Sequence, residues 1–167
     1  MRRIAWIAQL FVVLLGSSSS LLEVRPPIDG LTAANLRDVF DEVHFGHRHE
    51  AIDLPSPKGT PVRSAVSGTI RKLFLSKPGG KTIYEFDDGG EYCYYYAHLD
   101  GYAAGLREGT RVARGDVVGF VGSTGDADPG SPHLHFAIFE LGPEKEWWKG
   151  KPINPYPILL AAVKRAK

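Results

Sequence analysis

Two short motifs far apart in the chain constrain its fold more than any other feature. They read His49-Glu50-Ala51-Ile52-Asp53 and His133-Leu134-His135. Imidazole and carboxylate together form a donor set that suits zinc. For both motifs to serve one ion, the chain must bring them to one place. In an extended strand, side chains two apart leave the same face. His133 and His135 therefore reach one site from a rigid strand. His49 and Asp53 also have even spacing, so an extended segment puts both on one face. Pro55 and Pro57 follow at once and argue against a helix there.

These four candidate ligands are one more than a catalytic zinc takes, because such a site leaves a position for water. One of the four then has another task. A further histidine, His98, lies in the run Tyr94-Tyr95-Tyr96-Ala97-His98-Leu99-Asp100. Two histidines left beside a three-ligand metal make a hydrolytic site: a Lewis acid, a bound water and two proton-handling groups. Any one histidine alone reads better as a hydrogen-bonded structural residue. Two motifs of suitable spacing reverse that preference.

The chain has 167 residues, enough for one domain and a short appendage. Its net charge is +1 with acids and bases well mixed, so no basic footprint points to nucleic acid. The single cysteine, Cys93, forms no internal disulfide. A nucleophilic pair with His98 is disfavoured, since positions five apart in one strand face opposite sides.

Arg2 and Arg3 precede an apolar run from Ile4 to Leu15, followed by Gly16 and four serines. That is the pattern of an export leader. The run is short of the ~20 apolar residues that span a membrane. Residues 1–20 are therefore read as a signal peptide or membrane anchor. The protein is expected to be exported, either periplasmic or anchored to the outer face of the inner membrane. Membrane contact is expected only through an uncleaved leader.

Residues 21–43 are read as a linker and a short N-terminal helix. Leu31, Leu36, Val39 and Phe40 fall near helical spacing, with Thr32 as the cap. His44 and His47 are read as exposed loop histidines. From residue 60 onward the pattern is mainly β: short runs of Val, Ile, Thr and Tyr broken by glycine and proline. Asp88-Gly89-Gly90 marks a hairpin, and Arg114-Gly115-Asp116 turns another strand pair. His133 to Leu141 is a strong final strand. Tyr92, Tyr94 and Tyr96 alternate onto one face, and Tyr95 lies with Cys93 on the other. Residues 44–145 are read as the domain that carries the zinc site. Residues 146–167, with Trp147-Trp148 and a polar end, are read as a tail packing on or trailing it.

The order of the motifs HEAID, PKGTPV, GTI, YAHL, RGDVVGFVGSTG and PHLHF resembles the lysostaphin-type zinc endopeptidases, which cut peptide cross-links of bacterial cell walls. The likeness runs from about His49 to Phe139, in order and spacing. It implies an antiparallel β-sheet core with a groove. It implies zinc ligands His49, Asp53 and His135, and catalytic histidines His98 and His133, which resolves the excess of ligands. It implies peptidoglycan stem peptides as substrate. The leader favours direct 4,3-type cross-links over glycine bridges. An uncharged, narrow rim built from Gly122 to Pro132 is expected to seat an extended peptide. Some relatives of this kind have lost ligands and act as silent wall-binding or hydrolase-activating modules. All five site residues are present here.

Overall fold

The protein's structure is a computed structural model that describes residues 22–44 and 46–165. The proposed export leader lies outside the described residues. Among the described residues, β1 (Val43–His44) and β2 (His47–Arg48) form a small antiparallel pair. The other strands are β3 (Ile52–Pro55), β4 (Pro61–Arg63), β5 (Gly68–Ser76), β6 (Gly80–Asp87), β7 (Tyr92–Tyr102), β8 (Arg111–Val112), β9 (Val117–Val121), β10 (His133–Leu141) and β11 (Gly150–Ile153). They make one antiparallel sheet with the order β11-β10-β7-β6-β5-β8, which β3, β4 and β9 join at the side. The mainly β antiparallel core expected from the sequence is the fold observed.

The centre of the sheet explains itself by alternation. Leu134, Phe136 and Ile138 of β10 are fully buried on one face, and His133, His135 and Phe139 leave from the other. Tyr96 and Tyr94 of β7 stand opposite Phe136 and Ile138 and join the same core. Burying each such side chain is worth ~1.5–3 kcal/mol. One edge of β10 is shared. β3 pairs with its first half and β11 with its second.

Several expectations fail here. The turn at Arg114-Gly115-Asp116 forms, but its two strands do not pair with each other. β8 joins β5, while β9 bridges β4 and β7. β10 is not the last strand, because β11 follows it.

No helix forms over residues 31–43. Of its four apolar positions only Leu36 is buried, so the segment has no continuous stripe to pack. Its polar side chains satisfy the backbone locally instead. Asn35 accepts from the Thr32 amide and hydroxyl, and Asp38 accepts from the Phe40 amide. The segment ends by accepting hydrogen bonds from the His49 and Glu50 amides at Glu42 and Phe40. The stretch before it is equally docked. Val24 and Ile28 are buried, and Asp29 ties Arg25 to Arg63 at 2.6 and 2.7 Å.

The described helix is instead α1 (Pro155–Arg165), where the sequence reading saw a polar end. Asn154 caps it by accepting from the Tyr156 amide at 2.9 Å. Pro155 presets the first helical φ. Ile158, Leu159, Ala162 and Val163 form its buried face, and Lys164 and Arg165 complement its C-terminal dipole.

One carboxylate lies inside the core. Glu85 is fully buried on β6, between Ser64 and Tyr96. Burial pushes its carboxyl up to about 7, although both hydroxyls oppose the shift. The hydrogen-bond chain suits a protonated acid. Tyr96 accepts from the Ala65 amide and donates to Glu85. Ser64 has one proton and two acceptors in reach, Val66 O and Glu85 Oε1. A protonated Glu85 that donates to Ser64 satisfies both contacts.

Candidate functional site

Three chain segments converge on a cleft of about 340 Å³ on the face of the sheet opposite the tyrosine core. β10 and β3 are paired with His135 opposite Asp53 and His133 opposite Pro55. This register sets carboxylate beside imidazole. His49 arrives differently from the expectation. The segment from His49 to Asp53 is not a continuous strand: Glu50 adopts the left-handed conformation with φ 53°. That bend, fixed by the hydrogen bonds to Phe40 and Glu42, turns His49 onto its partners.

His49 Nε2, His135 Nδ1 and Asp53 Oδ1 form a triangle with sides of 3.1, 3.2 and 3.2 Å. Ligands 2.0–2.1 Å from a tetrahedral metal lie ~3.3 Å apart. The three donors thus fit a single zinc-sized ion without rearrangement. Among the described residues, they are the one group of three such donors that closes to within 4.8 Å. His133 stands off, with its Nε2 3.8 Å from the Asp53 oxygen. His49 is further oriented by Nδ1, 3.3 Å from the Val39 carbonyl, a contact of the kind that fixes a metal-binding tautomer.

His98 reaches the cleft by breaking the strand rule. Tyr94 and Tyr96 point into the core, so strict alternation would send His98 there too. Between the pairs Tyr96–Ile83 and Leu99–Lys81, two residues of β7 oppose one of β6. His98 occupies this bulge with φ 59°. Its ring centre lies 5.0 Å from that of His133 and 5.5 Å from that of His135. Sparsely populated backbone conformations of this kind cost ~1–3 kcal/mol.

The bulge also removes the parity argument against a Cys93–His98 pair. The pair still does not form a nucleophile. Cys93 is buried, and burial holds its thiol far above the ordinary range.

The two outlying histidines are held alike. His98 Nδ1 is 2.8 Å from the Thr124 carbonyl, and His133 Nδ1 is 2.9 Å from the Ser131 carbonyl. A carbonyl only accepts, so Nδ1 carries the proton and Nε2 is the basic nitrogen of each ring. Burial lowers the pKa of His98, helped by the neighbouring histidines.

The charge balance centres on Asp53. Burial pulls its carboxyl up, but His135 and His49 outweigh that and hold it well below the usual carboxylate range. Burial lowers His135 despite Asp53, whereas for His49 the carboxylate prevails over burial and raises it.

The rim corrects two expectations. Asp126 and Asp128 line the cleft, so the rim is acidic rather than uncharged. His47 lines it too; it is exposed as expected, but it lies in β2 rather than in a loop. Tyr95 also faces the cleft, 6.0 Å from the His135 ring, as alternation opposite Tyr94 and Tyr96 requires. The wall is built by two tightly packed loops. Gly80 has φ 63°, and a Cβ there would come 2.2 Å from the Thr124 hydroxyl. Lys81 donates to that hydroxyl and Asp126 to the Pro78 carbonyl, which locks the rim in place.

Comparison with known proteins gives a consistent picture. Residues 47–155 match the model of peptidase family M23. The chain is 36% identical over 124 residues to the L-Ala–D-Glu endopeptidase of Bacillus subtilis (strain 168), covering 70% of this chain and 36% of that protein. It spans about a third of the length of that relative and, at 24%, about a quarter of the Neisseria meningitidis DD-carboxypeptidase/endopeptidase Mpg. Among solved structures it superimposes on the catalytic domain of the antimicrobial peptidase lysostaphin from Staphylococcus simulans with a TM-score of 0.62. That match has 27% identity and covers 76% of this chain and 94% of the other. A zinc-containing peptidase from Vibrio cholerae matches with a TM-score of 0.52 and 25% identity, covering 69% of this chain and 33% of that one. The antiparallel core, its cleft and its His49–Asp53–His135 triangle thus belong to a chain that is a member of peptidase family M23.

Proposed function

We propose that this protein is a zinc-dependent endopeptidase that hydrolyses peptide bonds of bacterial peptidoglycan, with His49, Asp53 and His135 as metal ligands and His98 and His133 as catalytic residues. One observation carries the reading. Three donors close to tetrahedral ligand spacing sit at the floor of an open cleft, with two imidazoles of fixed tautomer beside them. Zinc in such a site supplies a Lewis acid and brings the pKa of water near 7.

The chain's own residues do the rest. The Nε2 atoms of His98 and His133 take up a proton from the attacking water and return it to the leaving amine. Once protonated, either ring donates a hydrogen bond to the oxyanion of the tetrahedral intermediate, a contact worth ~3 kcal/mol. The backbone carbonyls of Thr124 and Ser131 keep both rings in the useful tautomer. The exposed edge of the cleft admits an extended peptide, and Asp126 and Asp128 favour a substrate with an amino group near the bond.

Glycosidic cleavage usually employs a pair of carboxylates flanking the bond. Of the three carboxylates that line the cleft, Asp53 is already committed to histidines, and Asp126 and Asp128 sit on the rim loop. Digestion of purified sacculi, read by mass spectrometry, tests the proposal. Cross-linked dimers or stem peptides should be cut, chelator should stop the reaction, and glycan strands should stay intact. New reducing sugar ends would defeat it.

Export to the periplasm is part of the same proposal and rests on the leader sequence. A fusion of residues 1–30 to a reporter active only outside the cytoplasm should be active. Cytoplasmic retention of the full chain would refute this part.

A further inference from the structure

The face of the sheet that carries the histidines does not end with them. Alternation along β10 places Ala137, Phe139 and Leu141 in line with His133 and His135. Register sets Tyr95 opposite Ala137, Cys93 opposite Phe139 and Tyr84 opposite Tyr95. The face therefore continues into a second cavity of about 260 Å³, walled by Tyr84, Tyr95, Phe139, Trp147 and Trp148. Tyr95 lines both cavities.

A run of rings joins them. Successive centres lie 6.0 Å apart from His135 to Tyr95, 4.7 Å to Tyr84, 4.7 Å to Trp147 and 5.2 Å to Trp148. The tryptophans sit in the connection between β10 and β11. Gly150 brings that connection close to the sheet, since a Cβ there would come 2.8 Å from Phe139 Cβ. Trp148 is nevertheless 61% exposed.

We propose that this aromatic pocket is a sugar subsite, which holds a pyranose ring of the glycan strand that bears the cleaved peptide. The inference rests on the peptidoglycan reading of the metal cleft. Stem peptides of that polymer carry methyl, carboxylate and amine side chains, none large enough to fill an aromatic cavity. The glycan supplies what does fit. One face of a pyranose presents polarised C–H bonds, which pack on the electron-rich face of an indole. Its hydroxyl and acetamido groups find Glu50 and Lys149 at the rim of the pocket.

The reach agrees. Phe139 lies four residues beyond His135 on β10, or ~13 Å at the strand rise. An extended peptide advances ~3.4 Å per residue. A sugar attached within about four residues of the attacked bond therefore comes to lie over the second cavity.

Two measurements on the full chain test this. In the first, the indole N–H signals of Trp147 and Trp148 are followed by NMR while a β-1,4-linked N-acetylglucosamine tetramer is added, with the backbone amide signals of α1 as internal reference. Saturable shifts of both signals are expected, with affinity at least ~10-fold weaker in Trp148→Ala. An unchanged spectrum elsewhere shows that the variant is folded. No shift at the solubility limit would overturn the proposal. So would broadening of these signals with protein concentration alone, which would give the pocket to a second copy of the chain.

In the second, kcat/KM is compared for a peptide with and without its disaccharide. A preference of at least ~10-fold for the sugar-bearing form is expected, falling toward one in Trp148→Ala. Sugar binding without hydrolysis of either substrate keeps the subsite and refutes the peptidase reading. Hydrolysis of both at equal rate with no indole shift does the reverse.

Discussion

Two carboxylates on opposite faces of the same sheet meet opposite fates. Asp53, one-third exposed in the cleft, is held ionised by His49 and His135 at 3.2 Å. Glu85, fully buried in the core, meets only the hydroxyls of Ser64 and Tyr96, and its carboxyl rises to about 7. Burial raises both acids. The partner decides the outcome, because a cationic or metal-ready neighbour offsets desolvation and a neutral hydroxyl does not. The same contrast separates a site built to hold charge from a core that tolerates a polar group only when it is neutral.

The strongest way to break the comparison is to remove the charge centre. Asp53→Ala and His135→Ala should each strip bound zinc, from about one per chain to background, and abolish hydrolysis. Metal analysis checks this. A His135→Ala protein that keeps one tightly held zinc would assign the triangle to something other than a metal.

Next in size are the two imidazoles outside the triangle. His98→Ala and His133→Ala should retain zinc and lose at least ~10² in kcat. Near wild-type cleavage by either variant would remove that residue from the chemistry. Parallel metal analysis separates this result from a damaged triangle.

The core acid gives a pH-dependent effect. Its folded pKa of about 7 lies above the ordinary glutamate value of 4.5, so the folded state keeps a proton that the unfolded state has released. Stability contributed by this group is intact below pH ~4.5, falls as pH rises toward 7, and is level beyond. Glu85→Gln imitates the protonated acid. It should remove that slope and raise stability relative to wild type by on the order of 3 kcal/mol at pH 8, with little difference at pH 4. Urea unfolding at a series of pH values measures both. Parallel curves for the two proteins would show that Glu85 is ionised in the core.

An exposed carboxylate sharpens the contrast from the other side. Asp38 accepts two hydrogen bonds from Asn154, at 3.1 and 3.2 Å, and so ties the N-terminal segment to the start of α1. Asp38→Ala should cost no more than ~1 kcal/mol. Asn154→Ala also removes the helix cap and should cost ~1–2 kcal/mol. Thermal unfolding of the two variants ranks them, and an Asp38 variant as damaging as the Asn154 variant would give the tie more weight than the cap.

Much of this organisation is legible in local pattern. The period-two alternation of His133 to Leu141 predicts a strand with both histidines on one face, and that strand is β10. Asp88-Gly89-Gly90 predicts the hairpin that joins β6 to β7. Turn chemistry and strand parity are properties of a few neighbouring residues, so they can be read without the fold.

Other features depend on partners distant in sequence. Residues 31–43 have helical spacing but only one buried apolar residue, so docking against the site prevails over propensity. The C-terminal end carried readable signals, an Asn cap followed by proline, yet its apolar face became visible only where it meets the core.

The strand and turn pattern by itself determined a mainly β fold, and the two motifs a histidine–aspartate cluster suited to a metal; the antiparallel core was what the family resemblance of the motif order implied. What the tertiary structure decided is how each side chain gets there. Parity alone would put His98 in the core with Tyr96, and a bulge turns it to the cleft. An extended HEAID segment would run straight, and Glu50 bends it. Both are single residues at positive φ, whose amides donate hydrogen bonds to the carbonyls of Gly79 and Phe40, in segments well before them in the chain. A local pattern cannot encode such a bend, because the energy that holds it comes from contacts made only when the sheet has closed.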